Sequence, residues 1–234
     1  MRILIISDVH GNWEALQAVL QEPHDALIFL GDAVHFGPRP HECAEALRGQ
    51  ATWSVRGNHD HGAAFTVDCR AYGNWKSWDD ATLPYTREML TTDDIAHLRT
   101  RPVIQRMTVG DTRFCLVHAA ATDPLYHYLA PDAPEDELAQ EISLADADVL
   151  LVGHSHVPMK RHVRQATIVN PGSVGLPRAG SGAQFAMWDD GEITLRCVRY
   201  DVPVVVQQLR SLRLPDEVFA GLAAILGGQQ DPEA

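Results

Sequence analysis

Arg2-Ile3-Leu4-Ile5-Ile6-Ser7-Asp8-Val9-His10-Gly11-Asn12 is the stretch that decides the fold. Residues 2–7 carry a run of leucine and β-branched side chains bounded by polar residues. A run without polar alternation fits a strand covered on both faces. Gly11-Asn12 then opens a helical pattern with Trp13, Leu16, Val19 and Leu20 on one face. Ala26 to Leu30 repeats the buried strand and ends at Gly31-Asp32. After breaks at Pro38 and Pro40, His41 to Leu47 reads as a helix. Ala51 to Val55 reads as a third strand, ended by Arg56-Gly57-Asn58. This β-α-β-α-β opening favours a parallel sheet flanked by helices.

The sequence changes character at residues 61–84, where Phe65, Tyr72, Trp75 and Trp78 mix with Gly73 and Pro84. An irregular or short-helical excursion is expected, with residues 60–85 serving either as a substrate-side cap or as a packed surface loop. Residues 85–100 are helical, with an N-cap signal inside Thr91-Thr92-Asp93-Asp94. Val103–Val109 and Thr112–Val117 pair as a hairpin around Gly110-Asp111. A Pro- and Asp-rich stretch, 122–136, leads into a helix ending near Leu144. Short strands follow at Val149–Val152, Met159–Val163 and Thr167–Asn170. A closing hairpin, Gln184–Trp188 with Ile193–Tyr200, and one or two helices complete the chain. An α/β half followed by a mostly β half fits a four-layer αββα sandwich, two mixed sheets packed face to face with helices outside. Without repeats or linkers, residues 1–226 read as a single domain and 227–234 as a frayed tail.

Bulk composition narrows the partners. The 234 residues are 45% hydrophobic and 21% charged, ordinary for a globular protein. A formal net charge of −12 disfavours nucleic-acid binding through a basic face. Any phosphate substrate must be drawn by a local positive site. Cys43, Cys69, Cys115 and Cys197 are scattered, with no C-x-x-C pair, so they read as reduced thiols. No run reaches signal-peptide or transmembrane length. The default expectation is a cytoplasmic protein that does not engage membranes.

Five fragments carry metal-binding or proton-carrying groups at strand ends: Asp8-Val9-His10, Gly31-Asp32, Gly57-Asn58-His59-Asp60, Val117-His118 and Gly153-His154-Ser155-His156. Taken singly, most of them read as turns, helix caps or core histidines. In this order they point to one two-metal site. Carboxylate and imidazole together suit Mn, Fe or Zn better than an all-oxygen cage would. Two divalent ions about 3.5–4 Å apart need a shared anionic ligand, and Asp32 is the natural bridge. Ligands just past the carboxyl ends of parallel strands converge in one crevice.

The order D-x-H, G-D, G-N-H-D, H, G-H-x-H resembles the calcineurin-like metallophosphoesterase superfamily over residues 1 to about 175. Ser7-Asp8-Val9-His10-Gly11-Asn12 and Asn170-Pro171-Gly172-Ser173-Val174-Gly175 look most like its small bacterial and archaeal phosphodiesterase-type branch. The resemblance implies two divalent transition metal ions: manganese is expected, with iron, zinc, nickel or cobalt as alternatives. One would take Asp8, His10, Asp32 and His156, the other Asp32, Asn58, His118 and His154. It implies hydrolysis of a small-molecule phosphodiester, and also of monoesters, by a hydroxide shared between the ions. His59 then resembles the family's leaving-group acid. A dinucleoside polyphosphate or cyclic nucleotide is the alternative substrate. The family also contains Ser/Thr-type protein phosphatases and a non-enzymatic protein-interaction scaffold. The scaffold lacks the catalytic histidine, which this chain keeps.

The match departs from pattern at Gly31-Asp32-Ala33-Val34-His35-Phe36-Gly37. Protein phosphatases carry G-D-x-V-D-R-G here, with an aspartate that orients the catalytic histidine and an arginine that holds phosphate. His35 and Phe36 replace them, which argues against the protein-phosphatase alternative. His35 is a candidate substrate contact or else a supporting or surface histidine. Arg178 is a candidate phosphate contact or else a solvent-facing loop residue.

Overall fold

The computed structural model describes residues 1–229. In chain order its elements are β1 (Arg2–Ile6), α1 (Trp13–Leu20), β2 (Ala26–Phe29), α2 (Pro40–Gln50), β3 (Trp53–Ser54), α3 (Asn58–Phe65), α4 (Gly73–Met89), α5 (Thr92–Thr100) and β4 (Ile104–Val109). The second half adds β5 (Thr112–Val117), α6 (Glu135–Ala145), β6 (Val149–Leu151), β7 (Met159–Val163), β8 (Ala166–Asn170), β9 (Ala183–Asp189), β10 (Glu192–Val198), α7 (Val202–Ser211) and α8 (Asp216–Leu226). The strands form two five-stranded sheets, ordered β10-β9-β1-β2-β3 and β4-β5-β6-β8-β7. Both are mixed: β1 runs parallel to β2 and antiparallel to β9, while β5 runs parallel to β6 and antiparallel to β4.

The unbroken apolar run of β1 is explained by its central place. Ile3 and Ile5 point into the layer between the sheets, against Phe114, Leu116, Leu151 and Val169. Leu4 and Ile6 point the other way, onto Leu16 and Val19 of α1 and Leu47 of α2. Alternate residues therefore fill two different cores. A third core lies outside the second sheet, where Cys115, Val117 and Leu150 meet Leu138 of α6. This is the αββα sandwich that the sequence pattern implies.

Two expectations need correction. Residues 61–84 are mostly helical: α3 runs to Phe65 and α4 begins at Gly73. Pro84 lies inside α4 instead of ending a break. Burial decides this. Trp75, Trp78, Ala81 and Tyr85 recur at helical spacing and pack on Val205, Leu209 and Leu222 of α7 and α8, which outweighs the missing proline donor. The third strand is also shorter than expected, only Trp53–Ser54. Of the tail expected to fray, residues 230–234 lie outside the described residues. Among the described residues, no helix is long and apolar enough to cross a membrane.

The inter-sheet layer is expected to dominate stability. Leu116 is fully buried there, whereas Leu144 is 49% exposed. Leu116→Ala is expected to cost about 2–5 kcal/mol in urea unfolding, and Leu144→Ala less than about 0.5 kcal/mol. Equal midpoints for the two variants would contradict the packing described here.

Candidate metal centre and active-site cleft

The chain leaves its strands through paired loops. Past β1 and β2 the backbone stays zipped, with the amides of Asp8, Val9 and Gly11 donating to the carbonyls of Gly31, Asp32 and Ala33. Ser173 Oγ donates to the Asp8 carbonyl at 2.7 Å, and the Gly153 amide donates to the His118 carbonyl. These bonds gather the five fragments over one end of the sandwich. The cost is backbone strain. Asp8, His10, Asp32, His154 and His156 all have φ between 48° and 65°, the left-handed region that side-chain-bearing residues seldom occupy. Two glycines allow the approach of the loops. A Cβ on Gly57 would lie 2.1 Å from Asp32 Oδ1, and one on Gly153 would lie 2.0 Å from Ser7 Oγ.

Three imidazoles are oriented by backbone carbonyls. Nδ1 of His10 meets the Val34 carbonyl at 3.2 Å, Nδ1 of His118 the Leu30 carbonyl at 2.9 Å, and Nδ1 of His156 the Leu176 carbonyl at 2.7 Å. A carbonyl can only accept, so each Nδ1 carries a proton and each ring turns its Nε2 inward; at His118 that Nε2 faces two acceptors, Asn58 Oδ1 and Asp32 Oδ2, and carries a proton as well. His10 Nε2 and His156 Nε2 then face each other at 3.0 Å. Asp8 Oδ1 stands 3.3 Å from His156 Nε2 and 3.9 Å from the Nε2 atoms of His10 and His118. Asp32 Oδ2 stands 3.1 Å from His118 Nε2 and 3.9 Å from His10 Nε2. Neither carboxylate oxygen has a hydrogen bond, though both are buried.

Buried carboxylates and imidazoles this close, with a single His118 proton among them, are a donor set suited to a cation. Asp8, His10 and His156 form one triad able to hold a metal ion, and Asp8, Asp32 and His118 form another. Asn58 Oδ1 is 3.0 Å from His118 Nε2 and borders the second. His154 packs edge-on to His118 with ring centroids 5.1 Å apart. Asp8 belongs to both triads, so it stands beside Asp32 between the two groups. The remaining carboxylate oxygens are satisfied by backbone: Asp32 Oδ1 accepts from the His59 amide at the start of α3, and Asp8 Oδ2 from the His154 amide. Asp60, next in the motif, accepts from the amides of Asp32 and Ala33 and fixes that turn.

The ionisation of the site follows from burial and opposed charges. Burial opposes the charge of Asp8 and Asp32, but the imidazoles of His156 and His118 outweigh it and hold both carboxyls below their usual range. Burial pulls His118 down, while Asp32 and Asp8 lift it to about 9. His154, desolvated and facing a charged His118, falls to about 3.

His59 lines the cleft with Asp32, Asn58, His154 and His156. The walls are built by Arg70, Tyr72, Trp75, Tyr126, Tyr128 and Arg178. Arg70, Ala71, Tyr72 and Trp75, from the segment between α3 and the start of α4, thus border the cleft. Arg178 is buried and places its guanidinium 4.3 Å from the Trp75 ring centre, so it is no solvent-facing loop residue. Arg70 stacks on Tyr126 at 4.0 Å.

The idea that His35 touches substrate is not supported by its position. It is fully buried, stacks on Phe36, and lies behind His59 instead of lining the cleft. Sequence reading missed Asp79, whose Oδ1 lies 3.4 Å from His59 Nδ1. The signal was the stripe Trp75, Asp79, Thr82, Thr86, all buried on α4. Read as irregular, the segment hides that acid.

Residues 1–191 match the calcineurin-like phosphoesterase superfamily domain. The chain therefore belongs to the calcineurin-like phosphoesterase superfamily, a family of metal-dependent enzymes, and is a hydrolase. A metallophosphoesterase from Sphaerobacter thermophilus superposes with a TM-score of 0.80 at 30% identity, over 96% of this chain and 98% of that one. A hypothetical protein from Pyrococcus horikoshii OT3 superposes with a TM-score of 0.82 at 26% identity, over 94% and 97%. The phosphodiesterase YfcE of Escherichia coli K12 is 26% identical over 209 residues, 83% of this chain and 91% of that protein.

A metal entering the site must displace the proton on His118. Between pH 6.5 and about 9, metal uptake by the stripped protein is expected to release about one proton per chain and to tighten as pH rises. Calorimetry in buffers of different protonation enthalpy reads this directly. A binding heat independent of buffer would contradict it.

Proposed function

We propose that the protein is a dinuclear metal-dependent phosphoesterase that hydrolyses small-molecule phosphodiesters. The observation that carries this is the inward convergence of Asp8 Oδ1, Asp32 Oδ2 and the Nε2 atoms of His10, His118 and His156 in one buried space. One ion would be held by Asp8, His10, Asp32 and His156, the other by Asp32, Asn58, His118 and His154. Manganese suits this mixed oxygen and nitrogen set, as do iron, zinc, nickel and cobalt. When bound, such a pair supplies an acidified water and a positive clamp on the phosphate oxygens.

The chain's own residues do the rest. Asp8 and Asp32 remain ionised and neutralise the charge brought into the buried site. His59 supplies the proton to the departing oxygen. Burial alone would strip that proton, but the Asp32 carboxylate holds His59 well above the ordinary histidine range. Arg178 and Arg70 place two cations at the mouth of an otherwise acidic protein. They supply the local positive site that an anionic substrate needs. Trp75, Tyr126 and Tyr128 offer flat apolar surface in the cleft for the organic groups of an ester. That favours a diester over a phosphoprotein, whose backbone the narrow cleft would exclude.

Hydrolysis of bis(p-nitrophenyl) phosphate with Mn, Ni, Co, Zn and Mg tests the activity, and no turnover with any of them would overturn it. The role of His59 has a sharper test. His59→Asn is expected to lower kcat about 10²–10⁴-fold on an alkyl ester. The loss should be much smaller on p-nitrophenyl esters, whose leaving group needs no proton. An equal loss on both would assign His59 to something other than leaving-group protonation.

A further inference from the structure

Behind the floor of the cleft lies a second cluster of donor atoms. His35 Nδ1, His59 Nδ1, Cys69 Sγ and an Asp79 carboxylate oxygen all lie within 4.8 Å of one another. All four residues are buried. They come from separate segments: the loop after β2, the first turn of α3, the loop before α4, and α4 itself.

Three features define the cluster, and one of its acceptors, on Asp79, has no hydrogen-bond donor. His35 Nε2 meets the Asp79 carbonyl at 3.2 Å. It therefore carries the ring proton, and His35 Nδ1 accepts a hydrogen bond from His59 Nδ1, 2.7 Å away. Asp79 Oδ1 is buried, makes no hydrogen bond, and stands 3.3 Å from His35 Nδ1 and 3.4 Å from His59 Nδ1. Cys69 Sγ is seated against the bare backbone of α3. A Cβ on Gly62 would lie 2.3 Å from that sulfur, so the glycine keeps room for it.

We propose that His35, His59, Cys69 and Asp79 form a third metal site, separate from the ions between Asp8 and Asp32 and selective for a thiophilic divalent ion such as zinc. Two imidazoles, one thiolate and one carboxylate make a closed four-coordinate set. Zinc–nitrogen bonds of about 2.0–2.1 Å put tetrahedral nitrogens about 3.3 Å apart. The two Asp79 distances already match that spacing. The imidazoles, 2.7 Å apart at Nδ1, must part by about 0.6 Å. On binding, the Cys69 thiol and His59 Nδ1 each give a proton to solvent, and a sulfur–metal and a nitrogen–metal bond replace them. A ring bound through Nδ1 keeps its proton on Nε2, so the ion fixes which edge of His59 can donate. It is a positioning ion, tied to the acid and not to the phosphate.

The test uses the full chain, stripped of metal and dialysed against excess zinc or cobalt. Wild type is expected to hold one zinc per chain more than Cys69→Ser or Asp79→Asn. The cobalt form should show a thiolate-to-cobalt charge-transfer band that Cys69→Ser loses. No cysteine belongs to the Asp8–Asp32 site, so the band reports on the cluster alone. Equal zinc counts in wild type and both variants would overturn the proposal. So would a wild-type cobalt form without the band, or a band that survives Cys69→Ser. Circular dichroism checks that the variants fold, and the wild-type band with the Asp79→Asn count carries the test if Cys69→Ser does not. The readout is a difference of one ion, so it stands whatever number of ions the Asp8–Asp32 site holds.

Discussion

Asp8 Oδ1 and Asp32 Oδ2 face the Nε2 atoms of His10, His118 and His156 across a buried space, and among these groups only a proton on His118 opposes their charge. Like acceptors in a low-dielectric interior repel unless a positive charge joins them. The rest of the molecule can be read as the frame that imposes this arrangement. The carbonyls of Val34, Leu30 and Leu176 fix the tautomers. The α3 amides take up Asp32 Oδ1 and leave Oδ2 free to face His118. In the metal-free chain a proton on His118 partly answers the charge, which is why its affinity for that proton is raised.

Holding such a centre strains the backbone as well as the side chains. Left-handed φ at five of the residues that face it costs about 1–3 kcal/mol for each. Rigid neighbours carry that cost. β1 is buried on both faces, and its loop is clamped by Gly31, Asp32 and Ala33 on one side and Ser173 on the other. Placing the donors at strand ends makes the two sheets into the ruler that sets their spacing.

Much of this was legible in the sequence. The apolar runs at Ile3–Ile6 and Ala26–Leu30 announce strands covered on both faces, and each ends in a motif that carries donors. The hairpins at Gly110-Asp111 and Asp190-Gly191 form where turn chemistry puts them. What stayed hidden depends on contacts distant in sequence. Asp79 is near His59 only because α4 packs on α7 and α8. Local propensity at Gly73 and Pro84 argues against that helix, and tertiary burial wins. His35 looked like a substrate contact because it follows Asp32 closely. The left-handed turn at His35 and Phe36 instead sends its ring behind His59, a change of direction that no spacing rule reveals. Arg178 could be guessed from the Pro-Gly-Ser turn, but its seat over Trp75 depends on α4 as well.

The central claim is that the unmatched acceptors at Asp8 and Asp32 are answered by two ions. A crystal structure of the manganese-loaded protein, with anomalous maps at the manganese edge, tests it most directly. Two peaks about 3.5–4 Å apart, one against His10 and His156 and the other against Asn58 and His118, with a carboxylate oxygen shared between them, is the predicted result. A single peak, or manganese bound away from Asp8 and Asp32, would contradict it.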